Sequence, residues 1–323
     1  MKIKTFSIIS LLCVLLACGS QRNENKQTGS NEQTTTKMSI DFNADSAYDY
    51  INRQVLFGPR VPNTESHRNC REWLISELTR HGASVTRQDV KLTAFDGTIL
   101  DATNIIGSFN PESSDRLLLL AHWDCRPWAD ADPDPANHKK PVDGANDGAS
   151  GVGVLLEIAR QIGKSTTDKG IDILFVDAED WGTDGDDESW ALGSRHFANN
   201  PHQPGYRPQQ AILLDMVGGH NAKFHKEYFS IQNAPSLVDK VWSVAAQSGY
   251  ENYFLPEIGG AVTDDHVELL KVGIPAINII EFHPTNGFNP TWHTTNDNMT
   301  AISKETLKAV GQTVINYIYE QSE

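Results

Sequence analysis

Two neighbouring acids, Glu179 and Asp180, follow closely on the apolar run Ile171, Ile173, Leu174, Phe175 and Val176. Carboxylates placed together near an apolar core each raise the cost of ionising the other, so both stay charged only with a cation or with separate partners. A metal ion is the first expectation. The same arrangement recurs twice, for residues 117–121 run straight into His122-Trp123-Asp124, and residues 210–214 end in Asp215. Asp147 lies in the Gly-rich stretch Asp143-Gly-Ala-Asn-Asp147-Gly-Ala-Ser-Gly, and His293 follows Trp292 in a loop that continues to Asp297. One acid at a strand end is ordinary. Three such ends, an acid in a Gly-rich loop and a late His together make a donor set for zinc, whereas the competing reading is a solvated acidic rim. Among 4 Cys no pair has zinc-finger spacing, so the ligands must be His and carboxylates.

The elements that would position these residues follow from periodicity. Apolar runs at 117–121, 170–176, 210–214 and 274–280 read as strands buried on both faces. Residues 85–92 alternate like an exposed strand, with 99–106 as its partner. Residues 45–57, 64–81, 235–247, 264–271 and 303–319 have helical spacing, the second with Cys70, Trp73, Leu74 and Leu78 on one stripe and Gly82 as its stop. A further helix opens just after Asp147 and carries Val154, Leu155, Ile158, Ala159 and Ile162. Strands alternating with helices predict an α/β fold with a mostly parallel central sheet flanked by helices on both faces. In such sheets ligands bind at the carboxyl edge of the strands, which is where all three acidic ends fall. No internal repeat interrupts residues 41–323, which read as one domain.

The 323 residues carry a formal charge of -15, and 39% hydrophobic content with 7 Trp suffices for a large core. That charge argues against binding nucleic acid, whose phosphates demand Lys and Arg. At the amino terminus Lys2 and Lys4 precede an apolar stretch over residues 6–16 and then Leu15-Leu16-Ala17-Cys18. This is similar to a bacterial lipoprotein signal, with an ordinary secretory signal as the alternative. It implies a signal peptide over residues 1–17, a lipid anchor on Cys18, a flexible tether over 18–40 and a place in the cell envelope, facing the periplasm. Cys70 and Cys125 would then lie in an oxidising compartment and could pair, although Cys70, in a helix, is expected simply to be buried.

Taken together, the His122-x-Asp124 pair, the Asp147 loop, Glu179-Asp180, Asp215 and His293 resemble the site of zinc-dependent aminopeptidases and their relatives, the animal-type glutaminyl cyclases. The likeness spans residues 115–297. Three segments are similar to the cyclases, above all to bacterial ones: Leu192-Gly-Ser-Arg-His-Phe-Ala198, Asp264-Asp265-His266 and Phe288-x-x-x-Trp292-His293. The resemblance implies a zinc aminopeptidase-like fold and a glutaminyl-peptide cyclotransferase, which turns the amino-terminal glutamine of peptides or proteins into pyroglutamate and releases ammonia. It makes Asp147, Asp180 and His293 the ligands of one zinc, Glu179 the proton shuttle, and Asp215 and Asp264 its catalytic neighbours. Phe288 and Trp292, with Trp181 or Trp190, would wall the glutamine pocket. His122 and Asp124 would support the site or serve a second metal, and Asn278 stands where animal relatives have a His.

A two-zinc aminopeptidase, its second ion on His122 and Asp215 with Asp147 bridging, needs the same residue types. A surface-anchored binding protein with a decayed site is the reading outside catalysis. Asp130, Asp132 and Asp134, and likewise Asp184, Asp186, Asp187 and Glu188, read as solvated loop faces, since they lack the Gly and distal Glu of a calcium loop. His266 is expected to orient Asp264.

Overall fold

The computed structural model describes residues 40–320, so the expected signal, Cys18 and nearly all of the tether lie outside the described residues. In chain order the main elements are α1 (Ala44–Val55), α2 (Glu65–Arg80), β1 (Ser84–Thr93), β2 (Ile99–Phe109), β3 (Arg116–His122), α3 (Ala149–Ile162), β4 (Gly170–Val176), α4 (Leu192–Asn199) and β5 (Gln210–Asp215). They continue with β6 (Phe224–Lys226), α5 (Tyr228–Asn233), α6 (Pro235–Gln247), β7 (Phe254–Ile258), α7 (Asp265–Lys271), β8 (Ala276–Ile280), β9 (Phe282–His283), β10 (Gly287–Phe288) and α8 (Lys304–Glu320).

Six strands form one sheet in the order β1-β2-β4-β3-β5-β8. The run β4-β3-β5-β8 is parallel, while β1 pairs antiparallel with β2 and β2 antiparallel with β4. Parallel strands with helical crossovers must hide both faces, and the alternation along each strand shows how. Leu119, Ala121, Ile173 and Phe175 face one core with residues of α1, α2, α3, α6 and α8. Leu118, Leu120, Leu174 and Val176 face a second core with Phe197 of α4 and Leu269 of α7. β1, at the sheet edge, keeps the alternating exposure of a half-solvated strand.

Helix boundaries follow local chemistry. Thr64 caps α2 by accepting the His67 N–H, and Cys70, Leu74 and Leu78, at successive i,i+4 positions, bury its inner stripe. α3 comes unusually close to the sheet, because a Cβ on Gly151 would stand 2.1 Å from the Leu214 carbonyl oxygen. That approach sets how deep the loop before α3 reaches into the strand ends.

The short elements α4 and α5, the β6–β7 pair and the β9–β10 hairpin have no counterpart in the sequence reading. α4 begins after Ala191, held at φ +56 with no side-chain cap, so no start signal precedes it. The pairing weighed for Cys70 and Cys125 is not formed, and both are free and buried.

Candidate active site

The carboxyl edge of the parallel strands gathers the acids. After β4 the chain turns through Ala178, in the left-handed region at φ +54, and this turn presents Glu179 and Asp180. Two buried acids hold it. Asp124, just past β3, accepts the backbone N–H groups of Glu179 and Asp180, each at 3.2 Å. Asp177 accepts the Ala178 N–H at 2.8 Å, the Thr103 N–H at 2.6 Å and His67 Nε2 at 2.9 Å. The doublet is therefore carried by hydrogen bonds from its own backbone rather than by its side chains, which stay available.

Asp147 lies one residue before the cap of α3. The Asp297 carboxylate takes the N–H groups of Asn146 at 2.7 Å and Asp147 at 3.1 Å. His122 Nε2 stands 3.0 Å from Asp147 Oδ1 and 3.2 Å from Asp215 Oδ1, so this buried imidazole links two of the strand-end acids. Its Nδ1 is 3.5 Å from Asp124.

His293 occupies a left-handed backbone position at φ +53. Its Nε2 lies 3.1 Å from Asp180 Oδ1 and 3.7 Å from Asp147 Oδ2, and its Nδ1 lies 3.4 Å from Asp130. Burial opposes protonation of this ring, yet Asp180, Asp130 and Asp147 outweigh it and push the His293 pKa up to about 9. The site thus calls for positive charge. Asp147, Asp180 and His293 each offer a ligand atom within 4.8 Å of the others, and both oxygens of buried Asp180 lack a hydrogen-bond partner. A cation would satisfy that orphaned carboxylate, so the donor set fits a metal. His122, Asp147 and Asp215 form a second such group.

Glu179 is mostly buried beside these ligands, 3.9 Å from His122 Nδ1. Burial raises its pKa well above the usual carboxyl range, and the charges of Asp180, Asp264 and Asp265 add to this against the pull of His122. Asp215 is pushed up to about 7 by burial and by Asp264. Asp264 caps α7, taking the Asp265 N–H and the Asn278 side-chain N–H, each at 2.6 Å. That bond gives Asn278 a role as donor to Asp264.

Glu179, Asp215 and Asp264 line a cavity of about 400 Å³ together with Asp147, Asp180 and His293. Its apolar walls include Phe288, Trp292 and Trp190. Trp292 stacks on His293 at 3.6 Å between ring centroids, and Phe288 on Trp292 at 4.5 Å. Of the two indoles expected near Asp180, Trp181 does not reach the cavity. It packs edge-on against Trp128 at 5.7 Å and points its N–H at Asp96. The reason lies one residue on: Trp190 folds over Gly182, where a Cβ would stand 2.0 Å from the indole, and so takes the wall position itself.

Other placements depart from the sequence reading. His266 Nε2 meets Glu227 at 3.1 Å, so its partner is Glu227 rather than Asp264. Asp130 is exposed, as expected, and also lies 3.4 Å from His293 Nδ1 and pairs with Arg126, whose guanidinium lies 4.8 Å from the rings of both Trp128 and Trp190. Asp184 and Asp187 are exposed but border the cavity. Asp132 accepts the Thr295 N–H and hydroxyl and the Asn137 amide, a loop-bracing role. Arg126, Asp265 and Asp297 were not picked out as site residues. Asp297 had a signal in its place at the end of the His293 loop and Asp265 in the Asp264-Asp265-His266 segment, whereas Arg126 had none.

Residues 104–318 match Peptidase family M28. Aminopeptidase YwaD of Bacillus subtilis (strain 168) is 30% identical over 251 residues, covering 74% of this chain and 49% of its own length, so the chain spans about half of that relative. A solved glutaminyl cyclase of Bacteroides thetaiotaomicron, bound to N-acetylhistamine, is 52% identical with a TM-score of 0.86 and covers 87% of this chain and 99% of that one. A Zn-dependent exopeptidase from Parabacteroides distasonis ATCC 8503 is 55% identical with a TM-score of 0.85, at 87% and 99% coverage. The chain belongs to peptidase family M28, alongside the bacterial glutaminyl cyclases.

Proposed function

We propose that this protein is a glutaminyl-peptide cyclotransferase in which Glu179 carries the proton. The observation that supports this best is a protonatable carboxyl, raised by burial and neighbouring acids, lining an aromatic-walled cavity beside a ligand triad. An amino-terminal glutamine enters with its side chain between Trp292, Phe288 and Trp190, which exclude water and hold the amide at the acids. The free amine attacks the side-chain amide carbon, so a C–N bond forms and the ring closes. Glu179 takes a proton from the attacking amine and hands it to the departing nitrogen, which leaves as ammonia when the old C–N bond breaks. One group serves both transfers, which requires a carboxyl that binds a proton readily near neutral pH. Asp180, Asp264 and Asp265 supply that condition by crowding Glu179, and Asn278 holds Asp264 in place.

Asp147, Asp180 and His293 would hold a single zinc ion, and a zinc there supplies a Lewis acid for the amide oxygen. The count of one rests on Asp180, both of whose oxygens lack a hydrogen-bond partner, whereas in the other group, of His122, Asp147 and Asp215, His122 hydrogen-bonds Asp215. The two-zinc aminopeptidase reading is favoured by the grouping of those same three residues. A glutamine-initiated peptide separates the two, for loss of ammonia from an otherwise intact peptide supports the cyclase and release of free glutamine overturns it. Metal content per folded chain, one zinc against two, tests the ion count independently.

The lipid anchor on Cys18 and the periplasm-facing location form a separate part of the proposal, supported by the amino-terminal sequence. No helix among the described residues is long and apolar enough to cross a membrane. Metabolic labelling with a fatty-acid probe should mark the wild type and leave Cys18→Ala unmarked; equal marking overturns the anchor.

A further inference from the structure

Glu281 takes no part in the mechanism above, yet it stands at a junction. It follows directly on β8, whose Ile280 pairs with Asp215, so its backbone is fixed to the rigid end of the sheet. From there the chain leaves as the β9–β10 hairpin, in which Phe282 pairs with Phe288, and comes back at Asn289. The Asn289 amide N–H donates to Glu281 Oε2 at 3.0 Å and closes the base of that hairpin. The other end of the same amide, Oδ1, accepts the Thr291 N–H at 3.0 Å and its hydroxyl at 2.9 Å, while the Asn289 carbonyl accepts the Trp292 N–H at 2.9 Å. A carboxylate only accepts, so it dictates that the amide turns its NH₂ towards Glu281 and its oxygen towards Thr291. The contact lies over Gly219, where a Cβ would come within 2.2 Å of Glu281 Oε2 and 3.0 Å of Asn289 Nδ2, so only a glycine leaves room for the pair.

We propose that Glu281 is a positioning residue, a clasp that pins the turn carrying Trp292 and His293 to the end of β8 and so sets the aromatic wall of the glutamine pocket. The proposal rests on the cyclase reading for its substrate but not for its geometry. His293 adopts φ +53, a conformation that non-glycine residues hold only when their surroundings impose it, and the clasp begins four residues upstream. Two influences act on the Glu281 carboxyl: burial raises it, the Asn289 amide lowers it, and it comes to about 7. No charged group from the hairpin, the turn or the Gly219 segment contributes. Above that pH the carboxylate is a strong acceptor; below it the neutral acid no longer fixes the amide orientation.

The test uses the zinc-loaded full chain as wild type, Glu281→Ala and Glu281→Gln, the last keeping an acceptor oxygen without a charge. Ammonia release from a glutamine-initiated peptide gives KM and kcat, and zinc retention against a chromogenic chelator gives a readout free of turnover. The expected result for Glu281→Ala is a KM about tenfold higher, the effect of losing one hydrogen bond to a charged group, with kcat nearly unchanged and zinc given up more readily. Glu281→Gln, which like the neutral acid does not dictate the amide orientation, should raise KM at pH 8 by less than Glu281→Ala, and the wild-type KM should climb towards the Glu281→Gln value as pH falls from 8 to 6. An unchanged KM in Glu281→Ala, or equal damage in both variants at pH 8, overturns the proposal. A wild type that releases no ammonia refutes the cyclase reading instead, and the clasp is then judged on zinc retention alone: Ala weaker than Gln supports it, and equal retention overturns it.

Discussion

The floor and the wall of the cavity are built in different ways. The floor, comprising Glu179, Asp180 and Asp215, stands at the ends of parallel core strands, and its doublet is hung from Asp124 and Asp177 by backbone hydrogen bonds. The wall, comprising Trp190, Phe288, Trp292 and the ligand His293, is borne on loops and the short β9–β10 hairpin, with Asp130 beside His293 and the Asn289 carbonyl accepting the Trp292 N–H. Strand ends give fixed charge positions, which suits groups whose spacing decides proton affinity. Loops give shape, which suits the part that meets the substrate. Damage to the floor should therefore appear in kcat, and damage to the wall in KM.

The sharpest way to break this contrast is Glu179→Gln. We expect kcat to fall at least about 100-fold with zinc content and melting temperature retained, measured by ammonia release, metal analysis and thermal unfolding. A floor residue whose loss left kcat intact would end the distinction. Next in size, Asp124→Asn should lower kcat by roughly 10- to 100-fold, because the two backbone N–H groups that aim the doublet lose their carboxylate, while KM stays near wild type. In the wall, Trp190→Ala should raise KM by about tenfold, as expected for a buried aromatic contact, and Trp181→Ala should leave it unchanged. The reverse order would restore Trp181 to the pocket.

A smaller effect concerns the support behind the wall. Glu227 accepts the N–H groups of Val262 and Phe229, and although burial raises its carboxyl, His266 and Ser230 hold it down to about 2. A folded-state pKa below the ordinary value contributes stability that is present above about pH 4.5 and lost as pH falls towards 2. Urea unfolding should thus show a gap between wild type and Glu227→Gln at pH 6 that narrows by pH 3. Smallest of all is the response to reductant. Neither Cys70 nor Cys125 is paired, so dithiothreitol should shift the melting temperature by less than about 1 °C.

The same division explains what could be read from the sequence. Apolar runs ending in acids announce themselves, because burial on both faces forces continuous hydrophobicity and the acid marks where it stops. Residues 117–124, 170–180 and 210–215 were legible for that reason, as was the 85–106 hairpin from its alternation. The wall was less legible. Phe288, Trp292 and His293 came from a resemblance, and the choice between Trp181 and Trp190 turns on Gly182 being small enough for an indole to lie across it. Asp132, which is buried, and His266 have partners, Thr295 and Glu227, that are far away in the chain and that no local pattern announces. Nothing local distinguishes a solvated Asp from one that braces a distant loop.

One feature of α3 has a practical bearing. Gly151 rests against the Leu214 carbonyl, and Gly153 meets the Ile51 side chain and the Ala47 carbonyl, so the first turns of this helix touch the sheet on one side and α1 on the other with no side chain of their own at those two points. Transplanting the constellation onto another scaffold would need that thin shoulder as well as the acids. A helix of ordinary girth would lift Asp147 away from Asp180 and open the donor set before any ion arrived.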